Sequence, residues 1–173
     1  MSQARDYAAS DSLRNGRHVE IRAIRPDDGT ALSATVAGLS AASLRRRFFS
    51  VKRNFSEQEK AFFLNVDFAN HVALVAELKD GERGAIVGGA RYIVIAPATA
   101  EVAFAVAEEF QGQGLGTLLM RHLLTLARRT GLKTFVAEVL PENAPMLHVF
   151  ANSGLELQTR HEAGLVHVTM RIS

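Results

Sequence analysis

The segment QGQGLG at 111–116 constrains this chain more than any other. An apolar run, AEVAFAVA (100–107), precedes it, and TLLMRHLLTLAR (117–128) follows with leucines at helical spacing. Gly131 then stops the helix, and KTFVAEVL (133–140) reads as another strand. Strand, helix and strand in that order make a βαβ unit whose two strands should lie parallel. Three glycines at alternate positions sit where the first strand hands over to the helix. A helix N-terminus presents unpaired N–H groups and the positive end of the helix dipole, and glycines ahead of it let a large anion reach the main chain.

Three phosphate-binding loops use this arrangement. The P-loop needs a lysine after its last glycine, and 111–117 has none. The dinucleotide fingerprint Gly-x-Gly-x-x-Gly would put its third glycine at Thr117, and it belongs to folds with several βαβ units. The acyl-CoA loop, Gln/Arg-x-x-Gly-x-Gly/Ala, is met in full by Gln111, Gly114 and Gly116.

The remaining elements surround that unit. RHVEIRAIR (17–25) alternates as a strand, and Pro26-Asp27-Asp28 opens a helix ending near Leu39. Short helices follow over AASLRRRFF (41–49) and SEQEKAFFLNV (56–66), where Ser56 and Glu59 have capping-box spacing. HVALVAELK (71–79) and AIVGGARYIVIA (85–96) form a hairpin across DGERG, and 99–107 adds an antiparallel neighbour. PENAPMLHVFANSG gives a short helix closed by Gly154, and 155–160 and 165–172 form a final hairpin. The order β-α-α-α-β-β-β-α-β-α-β-β predicts an α/β fold: a mixed, mostly antiparallel sheet, one central βαβ unit and helices on both faces.

At 173 residues and 47% hydrophobic, the chain suits one domain, expected over 17–173 behind a flexible tail at 1–16. Twenty Lys+Arg against 18 Asp+Glu is too even for a dedicated nucleic-acid binder. No cysteine is present, so thiolate metal sites and thiol nucleophiles are excluded. The six histidines show no metal-ligand spacing, and no metal is expected. No uninterrupted apolar run reaches membrane-spanning length, so a soluble cytoplasmic protein is expected, with a homodimer left open.

The loop, the element order and PEN at 141–143 together resemble the GNAT superfamily of N-acetyltransferases over roughly 17–172. IRPDD, LRRRFF, HVALVAE, AEVAFAVAEEFQGQGLG and AEVLPENAPMLHVFANSGL are similar to the catalytic domain of bacterial protein lysine acetyltransferases. The resemblance implies direct acetyl transfer from acetyl-CoA to an amine, a protein lysine first, with a small amine or amino acid as the alternative acceptor. A non-catalytic acyl-CoA-binding module is the alternative from another class. That subfamily often carries a fused regulatory domain, and none is expected within these 173 residues.

The resemblance also assigns residues. The pantetheine arm would pair with the main chain at Phe104, Ala105 and Val106, and a main-chain N–H near Val106 would meet the oxyanion. The diphosphate would sit on N–H groups of Gly112, Gln113, Gly114, Leu115, Gly116 and Thr117, with the Gln111 side chain assisting. Asn143 matches a cofactor-bonding position, though a helix cap explains it equally. Glu101 matches the general base, and Glu138 is its rival on the next strand. Phe150 stands where many relatives have a tyrosine that protonates the leaving thiolate, and Tyr7 and Tyr92 are the only tyrosines in the chain. His148 lies nearby on the same helix. The run Arg45-Arg46-Arg47 reads first as a solvated face, and Arg121, Arg128 and Arg129 mix surface charge with potential phosphate contact.

Overall fold

The computed structural model describes residues 6–25, 28, 66–79, 85–107 and 110–172. The elements are β1 (Ala8–Ser12), β2 (His18–Ala23), β3 (His71–Leu78), β4 (Ile86–Ala96), β5 (Thr99–Val106), α1 (Leu115–Arg129), β6 (Thr134–Val139), α2 (Ala144–Ala151), β7 (Glu156–Glu162) and β8 (Leu165–Arg171). All eight strands lie in one sheet, ordered β1-β2-β3-β4-β5-β6-β8-β7. Every neighbouring pair is antiparallel except β5 and β6. The helices expected at 26–39, 41–49 and 56–66 fall outside the described residues, apart from Asp28 and Val66.

Alternation decides which side chains meet which helix. Val19, Ile21, Val72, Leu74, Tyr92, Ala100, Val102 and Phe135 join the main core with Leu115, Leu119, Leu123 and Leu126 of α1. α2 lies on the same side, where its Phe150 ring meets Phe104 edge-on at 5.8 Å. Ile24, Ala73, Val75 and Ile86 form a second cluster with Val66 and Phe68 on the opposite face. Among the described residues, then, both helices cover one face. Gly88 lets the first turn of α1 drop onto the sheet, because a Cβ there would lie 2.9 Å from Leu115 Cδ2 and 3.1 Å from the Ala105 carbonyl oxygen.

One sequence expectation is corrected here. Residues 8–12, expected to be tail, form edge strand β1 paired with β2 from Ala8↔Arg22 to Ser12↔His18. AASDS offers no apolar alternation, and its members are poor strand formers. Tertiary contacts compensate: the Tyr7 hydroxyl hydrogen-bonds His122 Nδ1 on α1, whose Nε2 lies 3.2 Å from Asp11 Oδ2.

A buried charge network ties β2 and β3 to the start of the 26–66 segment. Arg22, 4% exposed, donates to both carboxylate oxygens of Asp28 at 2.9 and 2.8 Å, and through Nε to Glu77 at 2.8 Å. Burial pushes the Asp28 carboxyl up, but Arg22 and the Arg25 N–H outweigh it and hold the group below the usual range. Glu77 is lowered first by its Arg22 hydrogen bond. Replacing Arg22 with methionine would leave two carboxylates without their cation, so Arg22→Met is expected to cost about 3–5 kcal/mol in urea unfolding at pH 7. Depressed folded-state carboxyls stabilise above their unfolded values and lose that contribution as pH falls through the folded ones. The gap between parent and variant should therefore narrow in acid, below a pH of about 4. A loss under about 1 kcal/mol at pH 7 would show the network is dispensable.

Candidate functional site

β5 and β6 pair only at Thr99↔Thr134, Ala100↔Phe135 and Glu101↔Val136. Beyond Glu101 they part, while β5 stays paired with β4 as far as Gly88↔Val106. One edge of β5 from Val102 to Val106 is therefore open. The Ala107 N–H reaches the Val87 carbonyl on β4 at 2.9 Å. Because main-chain groups alternate along an antiparallel pair, Phe104 and Val106 turn their N–H and C=O toward the open edge. The Gln111 side-chain amide accordingly donates to the Val106 carbonyl at 3.1 Å.

A cavity of about 250 Å³ occupies this wedge. Its walls are Val102–Val106 of β5, the glycine turn, the first residues of α1, Ala137–Val139 of β6 and one side of α2 from Pro145 to Phe150. Gly112 and Gly114 both take positive φ, +80° and +86°, and Gly114 is the N-cap of α1, with no side-chain hydrogen bond capping the helix. The N-terminus of α1, its N–H groups uncapped by any side-chain hydrogen bond, thus faces the cavity, as anion binding requires.

Most of the residues assigned from sequence converge here. Phe104, Ala105, Val106, Gln111, Gly112, Gly114, Leu115, Gly116, Thr117, Glu138, Asn143 and Phe150 all line the cavity, together with His148. Asn143 also caps α2, its Oδ1 accepting from the Met146 N–H at 3.2 Å. Cap and cavity wall are one residue, with the Nδ2 amide left to donate.

Two assigned residues stand apart. Gln113 is not in the wall, and its carbonyl accepts from the Arg14 N–H at 3.1 Å. Glu101 is the last residue of β5 paired to β6, at the foot of the wedge. By alternation it projects on the face opposite α1, exposed, with no hydrogen bond or ion pair among the described residues. Glu138 shares that face two residues on from Val136, and its Oε2 lies 3.3 Å from His167 Nδ1.

His167 was not legible beforehand. It comes from β8, and only the register Glu138↔His167 brings it beside the site. On the same face His71 accepts from Arg91 at 2.8 Å, and burial plus the Arg91 charge lower it to about 4. Tyr7 and Tyr92 do not line the cavity, and Tyr92 is buried against Phe135. Arg121 pairs with Asp11 at 3.7 Å and Arg129 lies over the Tyr7 ring, both away from the wall, while Arg45-Arg46-Arg47 is outside the described residues. No cluster of three metal-binding side chains occurs among the described residues, and no described helix is long and apolar enough to cross a membrane.

A sequence model of the acetyltransferase (GNAT) family matches residues 40–155. The chain belongs to the GNAT acetyltransferase family. This GNAT chain is 30% identical over 156 residues to Acetyltransferase Pat of Mycolicibacterium smegmatis, across 89% of its own length and 46% of that protein. It thus spans less than half of that relative. The GNAT domain of S. lividans PAT superposes with a TM-score of 0.87 at 31% identity, over 95% of this chain and 96% of that one. The yncA acetyltransferase fold of Salmonella typhimurium, solved with acetyl-CoA, superposes with a TM-score of 0.72 at 21% identity, over 90% and 93% of the two chains.

Proposed function

We propose that the wedge binds acetyl-CoA and that the domain transfers its acetyl group to an amine, a protein lysine first. The observation that carries this is the open edge of β5 running directly into the glycine turn. An extended amide-bearing arm can pair with Phe104 and Val106 as an added strand, while its diphosphate reaches the N-terminus of α1. Likeness to a fold solved with acetyl-CoA supports the same ligand.

Acetyl-CoA supplies an activated thioester carbonyl. The chain's own contributions are three. A main-chain N–H on the open edge of β5, that of Phe104 or Val106, would hold the carbonyl oxygen as it gains charge. Glu101 takes a proton from the incoming amine, directly or through water, because a lysine ammonium with a pKa of about 10.4 must be neutral to attack. The third contribution is shape: the buried Phe150 closes the wedge against Phe104 without offering a hydroxyl, so the thiolate leaves with a proton from water. Resemblance to bacterial protein lysine acetyltransferases favours the lysine, and an exposed Glu101 suits an acceptor carried on a folded surface.

The test is calorimetric titration with acetyl-CoA, free CoA and NAD, followed by an acceptor screen of lysine peptides against small amines. Saturable binding of both CoA species with turnover on peptides is expected. Turnover on small amines alone would move the acceptor class, binding without turnover would make the domain a sensor, and binding of NAD alone would overturn the reading.

A further inference from the structure

Arg14 lies in the turn between β1 and β2, a hundred residues from the glycine loop in sequence, yet it lines the same cavity. Its N–H is tied to the Gln113 carbonyl at 3.1 Å. Its side chain crosses Gly114 so closely that a Cβ there would sit 3.1 Å from Arg14 Nε. No hydrogen bond or ion pair engages that guanidinium among the described residues. The other arginine of the turn is differently placed: the Arg17 guanidinium stacks over Phe110 at 5.2 Å. We propose that Arg14 is a diphosphate-binding residue, laid over the N-terminus of α1 by the β1–β2 hairpin so that the anion is held between a guanidinium and the helix N–H groups.

The chemistry fits the place. Helix N–H groups carry only partial charge, whereas a guanidinium supplies a full one in a fork matched to phosphate oxygens. The hairpin is anchored for this purpose at a second point. The Tyr7 O–H donates to His122 Nδ1 and His122 Nε2 donates to Asp11, clamping β1 against the middle of α1. The second attachment lies on the helix whose N-terminus Arg14 covers, and the first, at Gln113, in the turn that leads into it. They make His122 a positioning residue for Arg14.

This rests on the acyl-CoA reading, and the experiment separates the two. Parent, Arg14→Gln and Arg14→Lys are titrated with acetyl-CoA and with 3′-dephospho-acetyl-CoA, with melting temperature as the fold control. Arg14→Gln is expected to bind both ligands about tenfold more weakly, with lysine recovering part of the loss. A loss confined to acetyl-CoA would hand Arg14 to the 3′-phosphate and overturn the diphosphate assignment, and equal affinity for both ligands would overturn it outright. Failure of the parent to bind either ligand would instead sink the acyl-CoA reading, and this proposal with it. His122→Phe should weaken acetyl-CoA by about threefold in the parent and not at all in the Arg14→Gln background, since positioning acts only through the residue positioned. Equal losses in both backgrounds would remove His122 from the role.

Discussion

Gly114→Glu is expected to lower acetyl-CoA affinity by about a hundredfold or more while leaving the domain folded. Two effects coincide at this position. Gly114 holds φ +86° at the start of α1, where an L side chain is strained, and its missing Cβ faces Arg14 at 3.1 Å. The strain alone costs about 1–2 kcal/mol of stability. The carboxylate does more, since it would stand where the diphosphate is proposed to lie, and like charges about 4 Å apart near a protein surface repel by about 4 kcal/mol before salt screening. It would also attract Arg14 and withdraw that charge from the ligand. Gly131→Ala separates the contributions: Gly131 takes φ +81° beyond the C-terminus of the same helix, with nothing within 4 Å of a Cβ. That variant should lose comparable stability and no affinity in calorimetric titration. If Gly114→Glu binds acetyl-CoA as the parent does, the diphosphate is not at this loop.

What could be read from sequence follows the strength of local signals. The βαβ unit was legible because its strands are mostly apolar, its helix repeats leucine at 3.6 spacing, and Gly131 ends it with the positive φ that a C-cap needs. The loop was legible because three glycines have no cheaper explanation, and two of them do take positive φ. The edge strand β1 was not, since AASDS earns its place through Tyr7, Asp11 and His122 rather than through any periodicity. Arg14 went with it, a surface arginine in an apparent tail until the hairpin folds it onto Gly114. His167 was hidden for a different reason. Its partner Glu138 is one strand away, and which residue of β8 stands opposite depends on a register that alternation alone does not fix. Asn143 shows the reverse case: the side chain that caps α2 belongs to a residue of the cavity wall, so the cap and the cofactor contact weighed from sequence do not compete.

The carboxylates supply the second large effect. Glu101→Gln is expected to reduce kcat for acetyl transfer by about 10²–10³, with acetyl-CoA affinity within about twofold of the parent. The substitution keeps the shape and removes the proton acceptor, and Glu101 lies outside the cavity wall, so binding has little reason to change. Glu138 provides the contrast. It does line the cavity, but its carboxylate already faces His167 at 3.3 Å, so it is less available to the acceptor amine. Glu138→Gln should cost less in kcat and more in stability or cofactor affinity. The pH profile distinguishes a lost base from a disturbed fold. An amine acceptor with a pKa of about 10.4 deprotonates by itself as pH rises, so the deficit of Glu101→Gln should shrink steadily from pH 7 toward 10. A misfolded or misaligned site would keep its deficit across that range. Should Glu138→Gln show the larger, alkali-rescued loss, the base belongs to β6, and the thioester carbonyl must then sit nearer the open end of the wedge, past the last β5–β6 pair at Glu101↔Val136.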